Sequence, residues 1–171
     1  MGKTQKLSFS ALLIAIGVIA GNLIYIPVGV SKCFPVQAFI NVVSAVFLGP
    51  WFAVANAFII SLIRVMFGTG SFLAFPGSMI GALLAGLLYL KTKNILVTAF
   101  GGMFGTGILA ALVAVPIAKL VYGTPAAAFF FVVPFLLSTI SGSVISVLVL
   151  SATKKHPMVQ KVLYKKSKPT A

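Results

Sequence analysis

Four polar side chains interrupt a long apolar stretch between residues 34 and 89, namely Gln37, Asn41, Asn56 and Arg64. Polar side chains inside a membrane usually face a bundle interior or a water-filled cavity, because lipid cannot solvate them. The three amides offer neutral hydrogen-bond donors and acceptors, which suit an uncharged polar or heteroaromatic ligand. We therefore interpret this stretch as the wall of a small-molecule site, although each amide could instead join two helices by a hydrogen bond.

Arg64 allows two interpretations, because the chain contains no Asp or Glu that could pair with its guanidinium group. Four residues, about 6 Å of helix, separate it from Gly68, so the side chain could snorkel to the outer membrane interface. The alternative is an inward side chain that faces a cavity and binds a ligand or backbone carbonyls. Both interpretations place Arg64 near one end of the bundle.

Hydroxyl and aromatic residues near the amides extend the candidate site. The hydroxyl-bearing candidates are Ser71, Ser78 and Thr106, and the candidate stacking surfaces are Trp51, Phe75 and Phe104. The helical pattern is predicted to break at Gly49-Pro50 and again at residues 68–71. Irregular backbone at membrane depth is tolerated only where protein or a cavity surrounds it. These breaks therefore favour a cavity that is lined partly by a loop.

The composition argues against catalysis and metal binding. The chain has no Asp or Glu, one Cys and one His. Zinc, calcium and magnesium sites generally need carboxylates or clusters of Cys and His, and acid–base catalysis and proton relays need titratable groups. The sequence also lacks a glycine-rich phosphate loop followed by Lys and Ser or Thr, so the chain cannot hydrolyse ATP by itself. We expect a non-enzymatic protein without a cofactor or metal.

The hydropathy of the chain predicts an all-α integral membrane protein. Hydrophobic residues make up 60% of the 171 residues, and the mean hydropathy is +1.17. Apolar runs of about 20 residues can cross a bilayer, and six transmembrane helices are predicted, at residues 9–28, 36–48, 51–67, 72–90, 95–121 and 126–152. The second helix is short for a full crossing, so we expect it to be tilted or partly sunk in the bundle. The chain is expected to form a single transmembrane domain, with its bundle at residues 8–152 and a basic tail at residues 153–171.

The distribution of basic residues predicts the orientation of the bundle. With six spans both termini lie on one side, which holds ten of the 13 Lys and Arg residues, while Lys32, Arg64 and Lys119 lie on the other. The positive-inside rule then predicts cytoplasmic termini in the cell membrane. The basic tail can lie against anionic lipid, so the net charge of +13 does not require nucleic acid as a partner. The candidate site would open outward, beneath an irregular connection predicted at residues 26–37.

The first span contains Ala11 and Ala15, which are four residues apart on one helix face. Small residues at this spacing allow another helix to approach closely, either within the bundle or from a partner protein. Lys3 and Lys6 before an apolar run are also typical of a secretory signal peptide. The run is long for such a peptide and further apolar segments follow it, so we favour a membrane helix that Pro27 ends.

Several motifs in this order resemble one family of membrane proteins. They are Pro35-Val36-Gln37 with Asn41-Val42, Leu48-Gly49-Pro50-Trp51, Arg64 with Gly68-Thr69-Gly70-Ser71, Leu73-Ala74-Phe75-Pro76-Gly77-Ser78-Met79 with Gly81-Ala82, and Gly105-Thr106-Gly107. Through these motifs the chain resembles the S components of energy-coupling-factor (ECF) vitamin transporters over nearly all of residues 7–152. The resemblance is greatest to the ThiW group, which implies uptake of the thiazole precursor of thiamin.

The resemblance implies a six-helix bundle that captures its substrate from outside and assembles with a transmembrane scaffold subunit and two ATPase subunits. It also implies that Ala11 and Ala15 form the Ala-x-x-x-Ala motif by which S components dock on the scaffold. The chain departs from the family pattern at Ala38, where a His tends to follow Pro-Val-Gln. It departs again at residues 101–103, where an acidic residue tends to precede Gly-Thr-Gly. Both positions would be candidate ligand contacts.

These observations predict the substrate-binding membrane subunit of an ECF-type importer for hydroxyethylthiazole or a related small vitamin. The resemblance further implies that ATP hydrolysis by the partner drives toppling of the bundle against the scaffold. The predicted substrate contacts are Gln37, Asn41, Asn56, Arg64, Ser71, Ser78 and Thr106. The alternatives are a stand-alone channel or facilitator for a small polar solute, and a membrane scaffold protein that binds no ligand.

Overall fold

The computed structural model describes residues 2–28, 31–123, 128–153 and 160, and it consists of a helical bundle with one short hairpin. The elements are α1 (Lys3–Leu23), β1 (Ile26–Val28), β2 (Ser31–Cys33), α2 (Pro35–Phe47), α3 (Pro50–Met66), α4 (Ala74–Thr92), α5 (Ile95–Phe104), α6 (Ala110–Tyr122) and α7 (Ala128–Thr153). A π-helical turn, Gly105–Leu109, joins α5 to α6 without a gap. The described residues therefore form six helical rods, and the predicted all-α membrane fold is confirmed.

Four of the six rods are long and apolar enough to cross a membrane: α1, α4, the rod that combines α5 with most of α6, and α7. The helices α2 and α3 are shorter, with 13 and 17 residues. A full crossing of the hydrocarbon core takes about 20 residues. Ten of the 13 residues of α2 are buried, so this short helix is sunk in the bundle, which is one of the two arrangements predicted for it.

The predicted first connection needs correction. Helix α1 begins at Lys3, earlier than predicted, and ends at Leu23, so Pro27 does not terminate it. The connection predicted as irregular contains an antiparallel hairpin, in which Ile26 pairs with Cys33. Strands of three residues are too short to show the alternating pattern by which a strand is recognised in a sequence.

The other five predicted spans agree with the observed rods to within two residues at each end. Both predicted breaks are present, and Gly49 and Gly68 adopt positive φ values of 97° and 68° there, a conformation that favours glycine. Three predicted segments lie wholly or mostly outside the described residues. These segments are residues 29–30 of the first connection, residues 126–127 of the sixth span, and the basic tail apart from residues 153 and 160.

Small residues bring the rods into close contact. The buried alanines that α2, α3 and α4 contribute to one cluster are Ala45, Ala53, Ala57, Ala82 and Ala85. Gly86 of α4 packs against Pro50 of α3, and a Cβ at Gly86 would overlap the Pro50 backbone. Gly142 of α7 similarly packs against the carbonyl group of Pro35. Membrane helices associate largely through such close packing, because lipid is as apolar as the helices themselves.

Replacing Gly86 by alanine is expected to destabilise the bundle, because the new Cβ would displace the backbone of Pro50 and separate α3 from α4. Overpacking of this kind typically lowers the free energy of unfolding by about 1–3 kcal/mol. Gly102→Ala is the matched control, since its Cβ would lie 3.6 Å from Ala85 Cβ, an ordinary contact. Thermal unfolding in detergent measures both variants, and equal unfolding midpoints would contradict this packing.

Candidate functional site

One end of the bundle contains a cavity of about 340 Å³. Its wall is formed by α2, α3, α4, α7, the π-helical turn, and the loop at residues 68–71. Ligand sites typically enclose about 300–1000 Å³, so this cavity suits a small ligand. Six of the seven predicted contact residues line it: Gln37, Asn41, Arg64, Ser71, Ser78 and Thr106.

Asn56 is the predicted contact that the structure does not bring to this cavity. Its Nδ2 donates to Ser44 Oγ at 3.1 Å, and its Oδ1 accepts a hydrogen bond from Ser10 Oγ. The residue is 1% exposed. Its amide therefore joins α3 to α1 and α2, which is the interhelical role that the sequence left open for each amide.

The guanidinium group of Arg64 is buried, and only 1% of the residue is exposed. Its Nη1 donates to Gln37 Oε1 at 2.7 Å. Its Nε donates to Asn22 Oδ1 at 3.3 Å, and its Nη2 donates to the Thr69 carbonyl at 3.4 Å. The ring of Phe34 lies 3.9 Å from Cζ, close enough for a cation–π interaction. Of the two interpretations of Arg64, the structure therefore has the inward one, and the side chain does not snorkel.

The loop between α3 and α4 holds Arg64 through its backbone as well. The amides of Thr69 and Gly70 each donate to the Arg64 carbonyl at 2.9 Å, and Thr69 Oγ1 donates to the same oxygen at 3.1 Å. These bonds satisfy a carbonyl at the end of α3 that has no partner within the helix. The positive φ of Gly68 allows the chain to fold back in this way, which brings the Thr69 carbonyl to the guanidinium group.

Gln37 connects Arg64 to a chain of hydroxyl groups. Its Oε1 accepts from Arg64, and its Nε2 donates to Ser61 Oγ at 3.0 Å. Ser61 Oγ lies 3.0 Å from Ser78 Oγ, which donates to the Ala74 carbonyl at 2.8 Å. Because both ends of the Gln37 amide are used, its side chain is held in one orientation. The cavity wall at α2, α3 and α4 is thus joined by one hydrogen-bonded network.

Asn41 lies one helical turn after Gln37 and is only partly satisfied. Its Nδ2 donates to the Ser78 carbonyl at 3.1 Å, and a carbonyl can only accept, so the amide nitrogen must face it. Its Oδ1 is buried and has no hydrogen-bond partner among the described residues. Buried acceptors are paired in the large majority of cases, so this oxygen is available to a donor such as water or a ligand group.

The aromatic residues at the cavity are not those that the sequence predicted. Trp51 is 78% exposed and Phe104 is 45% exposed, while Phe75 packs against Phe58 with ring centroids 5.5 Å apart. None of these three predicted stacking residues lines the cavity within the described part of the chain. The aromatic rings that do line it belong to Phe34 and Phe135.

Sequence reasoning also missed three polar residues of the wall, namely Thr69, Ser138 and Thr139. Thr69 lies in the predicted break at residues 68–71, so the break was a sequence signal that could have identified it as a cavity residue. Ser138 Oγ accepts from the backbone N–H of Phe34 at 2.9 Å and donates to the Pro134 carbonyl at 2.8 Å. Ser138 therefore ties the end of the hairpin to α7, a contact across 104 positions that local sequence patterns do not encode.

The π-helical turn places Thr106 at the cavity. Gly81 of α4 lies directly against it, and a Cβ at Gly81 would overlap Thr106 Oγ1. π-Helical turns within α-helices are frequent at functional sites. The close approach of Gly81 and the wider turn together bring the Thr106 hydroxyl to the wall.

A bundle of apolar helices with a partly polar cavity near one end defines a multi-pass membrane protein that can hold a small molecule. The sequence profile of the thiamine-precursor transporter family (ThiW) matches residues 7–156, so the chain belongs to this family. The predicted resemblance is thereby confirmed, and the chain is a transporter of a thiamine precursor. No curated protein matches the chain.

The two departures from the family pattern lie at or near the cavity. Ala38 lines it and is 9% exposed. Gly102 lines a much smaller space beside it, whereas Gly101 packs against Leu88. The small residues Ala38 and Gly102 therefore leave room at the wall, whereas a side chain at Gly101 would meet Leu88 instead.

Replacing Gln37 by leucine is expected to lower the thermal stability of the protein, because Arg64 loses its shortest hydrogen bond inside the bundle. A hydrogen bond to a charged group contributes about 1.5–3 kcal/mol. Gln37→Glu is the matched control, since its carboxylate can still accept from Arg64, and a smaller loss is expected. The test is thermal unfolding in detergent, and a Gln37→Leu midpoint equal to that of the wild type would refute this role.

Proposed function

We propose that this chain is the substrate-binding subunit of an ECF-type importer and that it captures hydroxyethylthiazole in the 340 Å³ cavity. The observation that carries the proposal is the convergence of six predicted polar residues in one cavity of a thiamine-precursor transporter. A volume near the lower end of the ligand-site range favours a single small ring over a larger vitamin.

The chemistry of the wall supports a neutral ligand. Amide and hydroxyl groups dominate its polar part, and Leu73, Ala74 and Phe135 supply apolar surface. Ser71 is exposed at the rim, while Ser78 and Thr106 lie further in. Apolar walls with a few placed polar groups are typical of small-molecule sites. A five-membered heteroaromatic ring with a short alcohol side chain matches this mixture.

We propose that the protein lies in the plasma membrane and that both of its termini are in the cytoplasm. Lys91 lies in the last turn of α4 and Lys93 caps the same helix, at the opposite end of α4 from the 68–71 loop. The positive-inside rule assigns these lysines to the cytoplasm, which leaves the cavity open toward the outside. The chain would thus be one transmembrane unit followed by a basic cytoplasmic tail at residues 153–171.

Transport against a gradient would need partner subunits, because the chain has no phosphate-binding loop. We propose a transmembrane scaffold subunit and two ATPases as these partners. Ala11 and Ala15 are both exposed on α1, and only 22% of the apolar window of this helix is buried. A face with two small exposed residues allows a partner helix to pack closely.

Hydroxyethylthiazole is expected to raise the unfolding midpoint of the purified wild-type protein more than thiamin or a pyrimidine precursor does. A ligand at 100 times its Kd stabilises the folded state by about 2.7 kcal/mol. Ala74→Phe should abolish the shift, because the ring would occupy the cavity. Ala55→Phe is the control, since Ala55 is exposed on α3. The absence of any shift with the wild type would remove the proposed substrate.

Ala11→Leu and Ala15→Leu are expected to abolish uptake in cells while ligand binding by the purified chain stays unchanged, because the larger side chains keep the scaffold away. Ala55→Leu, an exposed alanine on another helix, should transport normally. Co-purification with the scaffold subunit measures docking directly. Wild-type co-purification by both variants would rule out this docking face, and uptake into vesicles that contain only this chain would favour a stand-alone facilitator.

A further inference from the structure

A second cavity of about 10 Å³ adjoins the main one, and Asn41, Thr106 and Thr139 line both. Ser143 adds another hydroxyl to its wall. This second cavity is called the recess below. It has room for about one water-sized group, such as a hydroxyl. None of the described residues that line it carries a charge.

The recess contains hydrogen-bonding groups that the protein leaves free. Asn41 Oδ1 has no partner among the described residues, and within the same residues the Thr106 hydroxyl makes no hydrogen bond. Thr139 Oγ1 donates to the Phe135 carbonyl at 3.0 Å, so its lone pairs remain available. A buried acceptor without a donor is unfavourable. The recess therefore favours a ligand group that donates a hydrogen bond.

Arg64 lines the main cavity but not the recess, and its side of the cavity favours the reverse kind of ligand group. A guanidinium group has five N–H donors and no acceptor. Three of the five N–H groups of Arg64 donate to Asn22, Gln37 and Thr69. One N–H group on each terminal nitrogen therefore has no acceptor in the described part of the chain. This side therefore favours a ligand atom that accepts a hydrogen bond.

The spacing of the two sides follows from α2. Gln37, which binds Arg64, and Asn41, which lines the recess, are four residues apart on this helix. Four residues correspond to about 6 Å along the axis. A five-membered ring with a two-carbon side chain can place a polar atom at each side.

We propose that the cavity selects its ligand by polarity, with a hydrogen-bond acceptor directed at Arg64 and a hydroxyl donor in the recess beside Asn41 and Thr106. The inference rests on the proposed function, and it assigns the substrate class as small neutral heteroaromatic alcohols. In hydroxyethylthiazole the ring nitrogen is the acceptor and the side-chain hydroxyl is the donor. A phosphate ester of the same alcohol is disfavoured, because the recess presents the unpaired Asn41 oxygen and no cation to an anion.

The test is calorimetric titration of the purified chain with hydroxyethylthiazole, its ethyl analogue without the hydroxyl, and its phosphate monoester. The wild type should bind the alcohol about tenfold more tightly than the ethyl analogue, as expected for one hydrogen bond, and more tightly than the phosphate. In Asn41→Leu and in Thr106→Val the preference for the alcohol over the ethyl analogue should fall to about one. Thr98→Val is the matched control, since Thr98 is a buried threonine of the same rod that does not line the recess.

The outcomes separate this inference from the proposed function. If Asn41→Leu does not fold, Thr106→Val decides the result alone, because valine keeps the shape of threonine. An undiminished preference for the alcohol in Thr106→Val would overturn the assignment of the recess. Tighter binding of the phosphate than of the alcohol by the wild type would overturn it too, and would indicate an anion at Arg64. Failure of the wild type to bind either uncharged thiazole would overturn the proposed function itself, and the inference with it.

Discussion

The site depends on how one buried cation is solvated in a chain without carboxylates. Neutral groups take that role for Arg64: the side-chain oxygens of Asn22 and Gln37, the Thr69 carbonyl, and the face of the Phe34 ring. Arg64 also lies in the last turn of α3, where the helix dipole favours a positive charge. Because these partners come from α1, α2 and the loop after α3, the cation determines how these parts meet at the cavity.

Hydroxyl and amide groups extend this constraint through the core. Gln37 links Arg64 by hydrogen bonds to Ser61 and, through it, to Ser78. Asn56 joins three helices at another level of the bundle. Each bond between neutral groups in a membrane contributes little, about 0.6 kcal/mol. These hydrogen bonds mainly fix the orientation of the side chains, since an amide group with both ends bonded cannot rotate. Among the buried amides of the described residues, Asn41 has an oxygen without a partner, and it lies where the cavity meets the recess.

Hydropathy and glycine or proline breaks were sufficient to predict most of the fold, because apolar length and helix-breaking residues act locally. The sequence left Arg64 open between snorkelling and an inward side chain. Four of the other five site residues followed from the rule that polar groups within lipid-length helices face inward, and Ser71 followed from the predicted break at residues 68–71. Asn56 also faces inward but does not reach the cavity, because the rule does not specify which neighbouring helix an inward side chain contacts. The hairpin at Ile26–Val28 and Ser31–Cys33 is local, but its three-residue strands are too short to show an alternating pattern. The aromatic wall from Phe34 and Phe135 depends on contact between segments that are distant in the sequence.

The π-helical turn at Gly105–Leu109 has a consequence for the comparison of related sequences. Such a turn accommodates one residue more than an α-helical turn. A relative with an uninterrupted α-helix would be one residue shorter there, and its alignment with this chain would open a single gap near Thr106. Without that gap every later position of α6 would be assigned to a face rotated by about 100°, and lipid-facing residues would be mistaken for core.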